Sequence, residues 1–387
     1  RMSLPILRQS PLDDAFVQDP YPFYATARAA GPLFVWEEYG HACAASHAEV
    51  NAILRDRRFG RENPFPQVTP PHLEPFYAMD RLSMLEREPP EHTRLRRLVM
   101  RDFTSRRVAA LQPEIEALAH HLIDDMPAEG DLLTSFCETL PVIVICRLLG
   151  VPEDMAAQLL EWSHDMVAMY EVRRDRAVED AAVAATQAFT AYLRGYIAQR
   201  RADPRDDLIS ALIAADGDKL AEDELIATCI LLLNAGHEAT VHALGNGVKT
   251  LIQHDMWHAH DPDMLTDEVL RYDPPLHMFT RFAMEDIAFG EHAFAKGDVV
   301  GLMLASANRD EAVFDDAARF DPARTPGPQL SLGAGLHFCV GAPLAKLEVA
   351  TALPILIARC PDLTLTQTPR YADRYHFHGL ERLSAKR

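Results

Sequence analysis

The sequence predicts a mainly α-helical protein with small β-sheets. Apolar residues recur at helical spacing through most of the chain up to residue 254, and proline and glycine separate the runs. The runs lie near 92–101, 114–125, 139–149, 154–169, 180–200 and 206–214, and a long one extends from about 219 to 254. The tract GPLFVWEEYGHACAAS (31–46) is typical of a short hairpin, and short strands and turns follow residue 273. We therefore expect a helical body with a small β-rich part.

The composition indicates a globular protein with ample apolar material for a core. The chain has 387 residues, of which 48% are hydrophobic, and it shows no internal repeat or low-complexity linker, so we expect one domain over 1–387. Six cysteines without CxxC pairs indicate reduced thiols. We find neither a signal-peptide pattern nor an apolar run of membrane-spanning length, which predicts a cytoplasmic monomer without membrane contact. The net charge of −19 argues against general nucleic-acid binding.

The stretch SLGAGLHFCVGAPLAKLE (331–348) places Cys339 between glycine-rich backbone and a predicted helix over 342–358. The free amides and the positive end of that helix would stabilise a thiolate. Such a thiolate is a good axial ligand for haem iron. A buried structural thiol is the alternative interpretation. Three glycines allow a tight turn or a close approach to a flat group; they are Gly333, Gly335 and Gly341.

This stretch resembles the signature of the cytochrome P-450 family of haem-thiolate monooxygenases, an aromatic residue followed by Gly-x-His-x-Cys-x-Gly and Leu-Ala. The matching positions are Leu332, Gly335, His337, Cys339, Gly341, Leu344 and Ala345. The resemblance implies the cytochrome P-450 fold and haem b, with Cys339 as the proximal iron ligand. It places Leu332, His337, Gly341 and Ala345 at the cofactor. Leu332 departs from the usual phenylalanine, a change expected to alter the reduction potential and to leave the ligand in place.

Further motifs follow in the family's order. Glu268 and Arg271 lie one helical turn apart and resemble the ExxR pair, with Arg319 in ARFDPAR as the third member of a structural lock. Matches at DPYPFYATARAAGP and HGLERL extend the resemblance over nearly the whole chain.

A separate set of basic residues resembles the family's haem-propionate ligands. His92 and Arg96, four residues apart, project from one helix face toward a common anion. The resemblance adds His337 and Arg281 to this set.

The segment LLLNAGHEATVHALGNGV (231–248) resembles the long central helix that handles oxygen in the family. Ala235 and Gly236 would open a groove for O2, because small residues let a helix bend and a ligand approach. The haem would then lie between the 219–254 helix and the Cys339 loop. Glu238 matches the acidic residue of the motif.

The first threonine of that motif is replaced by Ala239, which removes a hydroxyl that helps proton delivery in the family. At about 100° per residue, Ala239 lies within roughly 10° of the groove direction and Thr240 about 90° away, so Thr240 is a poor replacement. Our hypothesis is that a polar group of the substrate, or water that it fixes, completes the relay, with Glu238 supplying protons from solvent. Ordered water alone is the alternative.

The resemblance gives positions for substrate contacts. Asn234 stands where the family usually has an apolar side chain, which predicts a small to medium substrate, such as an aromatic or terpenoid molecule, with a polar or anionic group. The proline-rich region 60–90 is expected to form a long loop and entry lid, with Phe76 or Tyr77 in contact with the substrate. An apolar wall is expected from Leu231, Leu276, Met278 and Phe279.

The implied activity is insertion of one oxygen atom from O2 into an organic substrate, by hydroxylation or dealkylation. A peroxide-driven peroxygenase, a non-oxygenating haem-thiolate isomerase or dehydratase, and a gas sensor are the alternatives. We find no flavin-binding or iron–sulfur motif, so a separate carrier must supply electrons. Residues 91–107 hold six arginines against Glu91 and Asp102, a balance of +4, which favours docking of an acidic ferredoxin with its ferredoxin reductase.

Overall fold

Helices form most of the chain up to Tyr272. The structure, a computed structural model, describes residues 4–171, 173–215 and 220–387. Within these residues the α-helices are α1 Asp14–Gln18, α2 Tyr21–Ala30, α3 His47–Arg55, α4 Glu74–Asp80, α5 Glu91–Asp102, α6 Ser105–Ala109, α7 Gln112–Asp125, α8 Thr139–Leu149, α9 Ala156–Val167, α10 Arg176–Ala202, α11 Leu208–Ile213, α12 Glu222–Gln253, α13 Pro262–Tyr272, α14 Leu304–Ala307 and α15 Ala342–Arg359. A π-helical segment, Leu133–Glu138, leads into α8.

The strands are short and group into three sheets. They are β1 Ile6–Leu7, β2 Phe34–Trp36, β3 His41–Ala44, β4 Phe59–Gly60, β5 Glu129–Asp131, β6 Met278–Ala283, β7 Ile287–Phe289, β8 His292–Phe294, β9 Val299–Met303, β10 Thr364–Leu365 and β11 Ser384–Lys386. The largest sheet has the order β1-β2-β3-β9-β6-β4, the second β10-β11-β5, and β7 pairs with β8. The predicted hairpin at 31–46 is confirmed, because β2 and β3 pair antiparallel with Phe34 opposite Cys43.

The predicted helical runs correspond to α5 and α7 through α12. The long run begins at Glu222, and residue 219 lies outside the described residues. The expectation of one long loop over 60–90 is wrong, because this region contains α4 and two 3-10 turns, Pro71–Leu73 and Met84–Glu86. Helix α4 forms there because Pro75 stands in its first turn, where no amide partner is needed, and Phe76 is buried.

Helix α12 lies at the centre of the largest hydrophobic cluster. It packs against α8, α10 and α15, and its small residues allow close approach. A Cβ at Gly247 would lie 3.1 Å from Val269 of α13, so glycine brings α13 near α12. Helix α13 begins where Asp261 accepts the N–H groups of Asp263 and Met264. This arrangement sets α12 opposite the loop that precedes α15. Among the described helices, none has the length and apolar character needed to span a bilayer.

Candidate active site

The Cys339 sulfur lies at the N-terminus of α15. The backbone N–H groups of Gly341 and Ala342 donate to it, as the sequence predicted from the start of a helix at 342. Burial raises the pKa of the thiol, whereas these amides and the nearby Arg96 guanidinium favour the thiolate. The Cys339 N–H donates to the Leu332 carbonyl over 2.9 Å, which folds the loop back beside the sulfur. The site is therefore arranged to hold a charged sulfur.

Gly335 packs the loop against the end of α3. It has φ +70°, and a Cβ there would lie 2.3 Å from the Leu54 carbonyl oxygen. Any other residue would be strained and would collide with backbone. Gly335 therefore lets the loop pack directly against the backbone of Leu54 and Arg55 at the end of α3.

His92, Arg96 and His337 come together at one end of this loop. The rings of His92 and His337 lie 4.3 Å apart, and Arg96 donates to the Phe338 carbonyl over 2.7 Å. His337 Nε2 lies 2.8 Å from a carboxylate oxygen of Glu88. His92 is buried, and its Nδ1 has no hydrogen-bond partner among the described residues. The geometry indicates a site for a further anion at these nitrogens.

Arg281 is buried on β6, on the same side of the strand as Phe279. Burial and the neighbouring Arg61 together lower the pKa of the Arg281 guanidinium to about 9, against the opposing effect of Glu88 and Glu86. The guanidinium donates to the carbonyl of Thr280 over 2.9 Å. Two buried guanidinium groups in proximity attract anions.

Glu268 and Arg271 form a buried bidentate ion pair, with Nε–Oε2 at 2.7 Å and Nη2–Oε1 at 2.8 Å. Arg271 also donates to the carbonyls of Asn308, Ala317 and Arg319. These bonds tie α13 to the segment ahead of the Cys339 loop.

The expectation that Arg319 is the third side chain of this lock is wrong. Its side chain is 62% exposed and pairs with Asp316 and Asp321. Arg324 takes the place instead, with Nε 3.3 Å from Glu268 Oε2 and its side chain 15% exposed. Both arginines belong to ARFDPAR, and the turn at Asp321–Pro322 decides which one points inward.

The groove face of α12 is formed by Ala235 and Ala239. Ala235 is exposed, and Ala239 is partly exposed between the buried Glu238 and Thr240. Gly236 has a different role from the one expected, since a Cβ there would lie 2.7 Å from Ile145 of α8. The missing side chain therefore lets α8 approach α12, and the groove depends on the two alanines.

Thr240 is buried and faces Glu348 of α15. Burial raises the pKa of the Glu348 carboxyl well above its ordinary value, and only the interaction with Thr240 opposes this. The threonine hydroxyl is thus directed to α15, consistent with the 90° separation predicted from the helix geometry.

Glu238 lies against α9, and three histidines surround its carboxylate. The Nε2 atoms of His164, His237 and His242 lie 3.7, 3.5 and 3.6 Å from its oxygens. Burial alone would raise the pKa of Glu238, but the histidines outweigh it and lower the pKa. The Nδ1 of His237 lies 2.6 Å from the Leu233 carbonyl, which directs its Nε2 toward Glu238. His164 is 44% exposed and leads from this cluster to solvent.

Asn234 lies beside α9. Its Nδ2 contacts the sulfur of Met166 at 3.8 Å, and its buried Oδ1 has no partner among the described residues. A buried amide with so few partners is costly, by about 1–3 kcal/mol for an unpaired group. Leu231, one turn earlier, is partly exposed on the same helix.

The residues proposed for the apolar wall separate into two groups. Leu276 is partly exposed and pairs with Phe377, and Phe279 lies under Arg61. Met278 is a correction, because it is buried in the cluster around Trp36 and Met303. Adjacent residues of a strand point to opposite faces, so Met278 and Phe279 cannot both line one pocket.

The lid residues Phe76 and Tyr77 pack edge to face, with ring centroids 5.1 Å apart. Phe76 is buried in the main core, whereas the Tyr77 hydroxyl accepts from Arg174 over 3.1 Å. Tyr77 is therefore the lid aromatic that stays partly exposed. His72 and Arg174 both pair with Glu179 of α10.

The basic face around α5 carries less free charge than the sequence count implied. Arg94 pairs with Glu91 and Glu224. Arg101 pairs with Asp102, and Arg107 with Asp206. Two exposed apolar side chains, Met100 and Phe338, lie within this face.

Comparison with known proteins gives a consistent result. The family model described as Cytochrome P450 matches residues 263–370. The chain is 35% identical to the biotin biosynthesis cytochrome P450 of Bacillus subtilis (strain 168), over 97% of this chain and 98% of that protein. It is 37% identical to the cytochrome P450 monooxygenase PikC of Streptomyces venezuelae, over 95% and 90%. The solved structure of P450BioI in complex with an acyl carrier protein ligated to hexadec-9Z-enoic acid superposes with a TM-score of 0.91 at 34% identity, covering 96% of this chain and 99% of that one.

The fold and the thiolate site define a haem-thiolate monooxygenase. The chain belongs to the cytochrome P450 family. The family implies a haem cofactor, and the residues present fit it. Cys339 offers a sulfur stabilised by two amides, His92 offers an unpaired nitrogen, and the alanine face of α12 leaves room for a flat group.

Several residues around this site were not predicted from the sequence. Glu88 and Arg61 lie in the proline-rich region, and Arg324 lies five residues from the arginine expected. The remaining ones are His164, His237, His242 and Glu348. The pair His237–Glu238 and the i,i+4 pair Glu238–His242 were visible in the sequence as neighbours on one helix.

Proposed function

We propose that this single-domain protein binds haem b and uses it to insert one oxygen atom from O2 into a small to medium organic substrate. The observation that carries the proposal is the Cys339 sulfur, which accepts two backbone N–H groups at the start of α15. When bound, the haem supplies the iron at which oxygen is activated. Cys339 would hold that iron, and the amides of Gly341 and Ala342 favour the charged form of the sulfur against the effect of burial.

The propionate groups would be held by His92, Arg96, Arg281 and His337. Glu88 is the carboxylate that now accepts from His337. A haem propionate is also a carboxylate, so it would compete with Glu88 for the imidazole of His337. Arg61 and Arg281 lie close enough to supply compensating positive charge.

The ligand assignment is tested by the Soret band of the reduced protein with carbon monoxide. The wild-type band should lie at the strongly red-shifted position of thiolate-ligated haem, and Cys339→His should lack that shift. The matched control is Cys360→Ser, which changes the cysteine that follows the last residue of α15. This variant should keep the red-shifted band. A shifted band in Cys339→His would show that another residue ligates the iron.

Proton supply is proposed to run from solvent through His164 to Glu238. His164 connects the exposed face of α9 with a carboxylate that is otherwise buried. His237 and His242 keep Glu238 ionised, so it can accept a proton at Oε2 and pass it on. Because Ala239 has no hydroxyl, the last step toward the substrate needs water or a polar group of the substrate itself.

Coupling of reductant use to product tests this route. His164→Gln should lower coupling and increase the solvent isotope effect, and Glu238→Gln should do so more strongly. His121→Gln, a histidine paired with Asp125 on the distant helix α7, is the control and should change neither. Full coupling in Glu238→Gln would remove the carboxylate from the relay.

Substrate analogues without the polar group test the last step of the relay. They should bind, but more of the reductant should go to peroxide instead of product. Equal coupling for the substrate and its analogues would favour delivery by water alone.

Electrons are proposed to come from an acidic ferredoxin with its reductase, docked on the face around α5. Met100 and Phe338 give this face an apolar centre, and Arg101 and Arg106 are exposed at its edge. Reduction should slow with rising salt and in Arg101→Glu combined with Arg106→Glu. Arg8→Glu, at an exposed ion pair with Glu37, is the matched charge reversal. An equal effect of Arg8→Glu would place the docking face elsewhere.

The substrate is proposed to carry a hydrogen-bonding group that satisfies Asn234. The other residues proposed for the pocket, Leu231, Leu276 and Phe279, are apolar. Because a similar structure holds a fatty-acyl carrier protein, acyl groups on a carrier are a second substrate class. A library with free acids, acyl carriers, aromatic and terpenoid compounds should be screened for the low-spin to high-spin shift. Asn234→Leu should weaken polar hits, and unchanged affinity for all hits would exclude its role.

A further inference from the structure

A second polar cluster lies outside the haem site, at the junction of α13 and β6. Asp273 follows α13, His277 immediately precedes β6, and His378 comes from the C-terminal segment HGLERL. All three side chains are buried. A carboxylate oxygen of Asp273 and one nitrogen from each imidazole lie within 4.8 Å of one another.

The hydrogen bonds of His277 leave one nitrogen directed into this cluster. Its Nδ1 lies 2.7 Å from the Tyr24 hydroxyl, which itself donates to the Tyr375 hydroxyl over 3.0 Å. With the Tyr24 proton directed to Tyr375, Nδ1 carries the imidazole proton and donates it to Tyr24. Nε2 is then a bare lone pair, and it has no partner among the described residues. This is the tautomer that binds a metal.

His378 and Asp273 complete the arrangement. His378 Nε2 lies 3.3 Å from Asp273 Oδ1 but forms no hydrogen bond of acceptable geometry with a described residue. That separation equals the edge of a tetrahedron whose corners lie about 2.0–2.1 Å from a central zinc ion. The His378 ring is fixed by stacking on Tyr371 at 3.6 Å.

Tyrosine hydroxyls orient the carboxylate. Tyr21 donates to Asp273 Oδ1 over 2.7 Å, and Tyr371 donates to Oδ2. Metal sites commonly have such outer hydrogen bonds, which fix their ligands. Lys249 lies 3.8 Å from Oδ2, on the side of the carboxylate that Tyr371 occupies, and its side chain is close enough to the surface to turn outward.

The geometry points to a binding site for a divalent transition-metal ion of the zinc type, with Asp273, His277 and His378 as its ligands. Two imidazoles and one carboxylate suit zinc, cobalt or nickel better than magnesium or calcium, which prefer oxygen ligands. A cavity of about 480 Å³, lined in part by Asp273, His378 and Tyr21, gives the ion a route and leaves a coordination position for water.

Such an ion would connect three parts of the chain that border the substrate region. Leu276, next to His277, pairs with Phe377, next to His378. The strand that follows carries Phe279 and Arg281. The metal would therefore hold the C-terminal segment against β6 and stabilise the wall of the proposed pocket.

Zinc content per haem tests the site in the holoenzyme. The protein is stripped with EDTA, dialysed against Zn²⁺ and measured for zinc and iron by mass spectrometry. We expect about one tightly bound zinc per haem, as for a site with three protein ligands and an open position. His277→Gln and His378→Gln should lose it, and Tyr21→Phe should weaken it by about 10–100-fold.

The control removes the exposed histidines that would collect zinc nonspecifically. His258 and His260 have rings 4.3 Å apart near the protein surface, and their double change to glutamine should leave one zinc in place. X-ray absorption at the zinc edge of the wild-type protein should show two imidazole ligands, a measurement that needs no variant to fold. Each of three results would refute the proposed site. They are the absence of bound zinc in the wild type, loss of zinc only in the His258/His260 control, and a zinc-edge spectrum without imidazole ligands.

Discussion

Replacement of Arg324 should destabilise the protein far more than replacement of Arg319. The two side chains are five residues apart in one segment and differ mainly in their surroundings. Arg324 contacts the buried carboxylate of Glu268 and donates to the carbonyls of Asp315, Asp316 and Arg319. Arg319 forms two ion pairs at the surface.

The expected magnitudes follow from these contacts. Arg324→Ala removes a guanidinium that is only 15% exposed, and it leaves the buried Glu268 carboxylate with Arg271 and the Asp321 N–H as its partners. Hydrogen bonds to charged groups contribute about 1.5–3 kcal/mol each before water replaces part of them, so we expect a loss of about 2–4 kcal/mol. Exposed ion pairs contribute about 0–1 kcal/mol, so Arg319→Ala should cost no more than that.

Urea denaturation of the haem-loaded proteins, followed by the Soret band and by far-ultraviolet circular dichroism, measures both effects. Arg324→Lys should recover only part of the loss, because lysine keeps the charge but lacks the planar fork. An equal loss in Arg319→Ala and Arg324→Ala would refute the assignment, and so would a change below about 0.5 kcal/mol in Arg324→Ala.

Three further predictions concern α12 and its neighbours. Burial raises the pKa of Glu348, so the folded state keeps a proton that the unfolded chain loses above about pH 4.5. The contribution of Glu348 to the free energy of unfolding should therefore fall with rising pH. In urea titrations at pH 5, 6 and 7, the stability of Glu348→Gln relative to the wild type should rise by up to about 1.4 kcal/mol per pH unit. A pH-independent difference would mean that Glu348 is ionised. Gly236→Ala should cost about 1–3 kcal/mol through contact with Ile145, and combination with Ile145→Ala should show favourable coupling in a double-mutant cycle. Thr240→Val should leave coupling of reductant to product unchanged, and peroxide release would show that its hydroxyl reaches the groove.

The sequence was sufficient to predict the relative directions of side chains wherever the residues concerned are close together along the chain. The Cys339 loop, the ExxR pair and the His92–Arg96 spacing each lie within one element, so local periodicity fixes their relative directions. The angle between Ala239 and Thr240 was predicted for the same reason.

Contacts between distant segments could not be predicted in this way. Arg324 meets Glu268 across 56 residues, and the choice over Arg319 depends on a turn whose course no local pattern sets. The assignment of Met278 failed because a strand has two faces, and the sequence does not say which one borders the pocket. Gly236 was expected to serve oxygen, but its nearest neighbour comes from α8.

The surroundings of two carboxylates indicate the side of α12 from which protons enter. Glu348 approaches from α15, where burial raises its pKa and only Thr240 interacts with it, so it holds its proton and has no contact with solvent. Glu238 lies against α9, where three histidines lower its pKa and one of them, His164, reaches the surface. Environments that separate two pKa values in this way assign different roles to the two groups. A proton supply through α15 would require Glu348 to lose its proton and leave a negative charge in an apolar core. This is far more costly than transfer of a proton from His164 to a carboxylate that is already ionised. We therefore propose the route from α9 over one through α15, and Glu348→Gln should leave the solvent isotope effect unchanged where His164→Gln alters it.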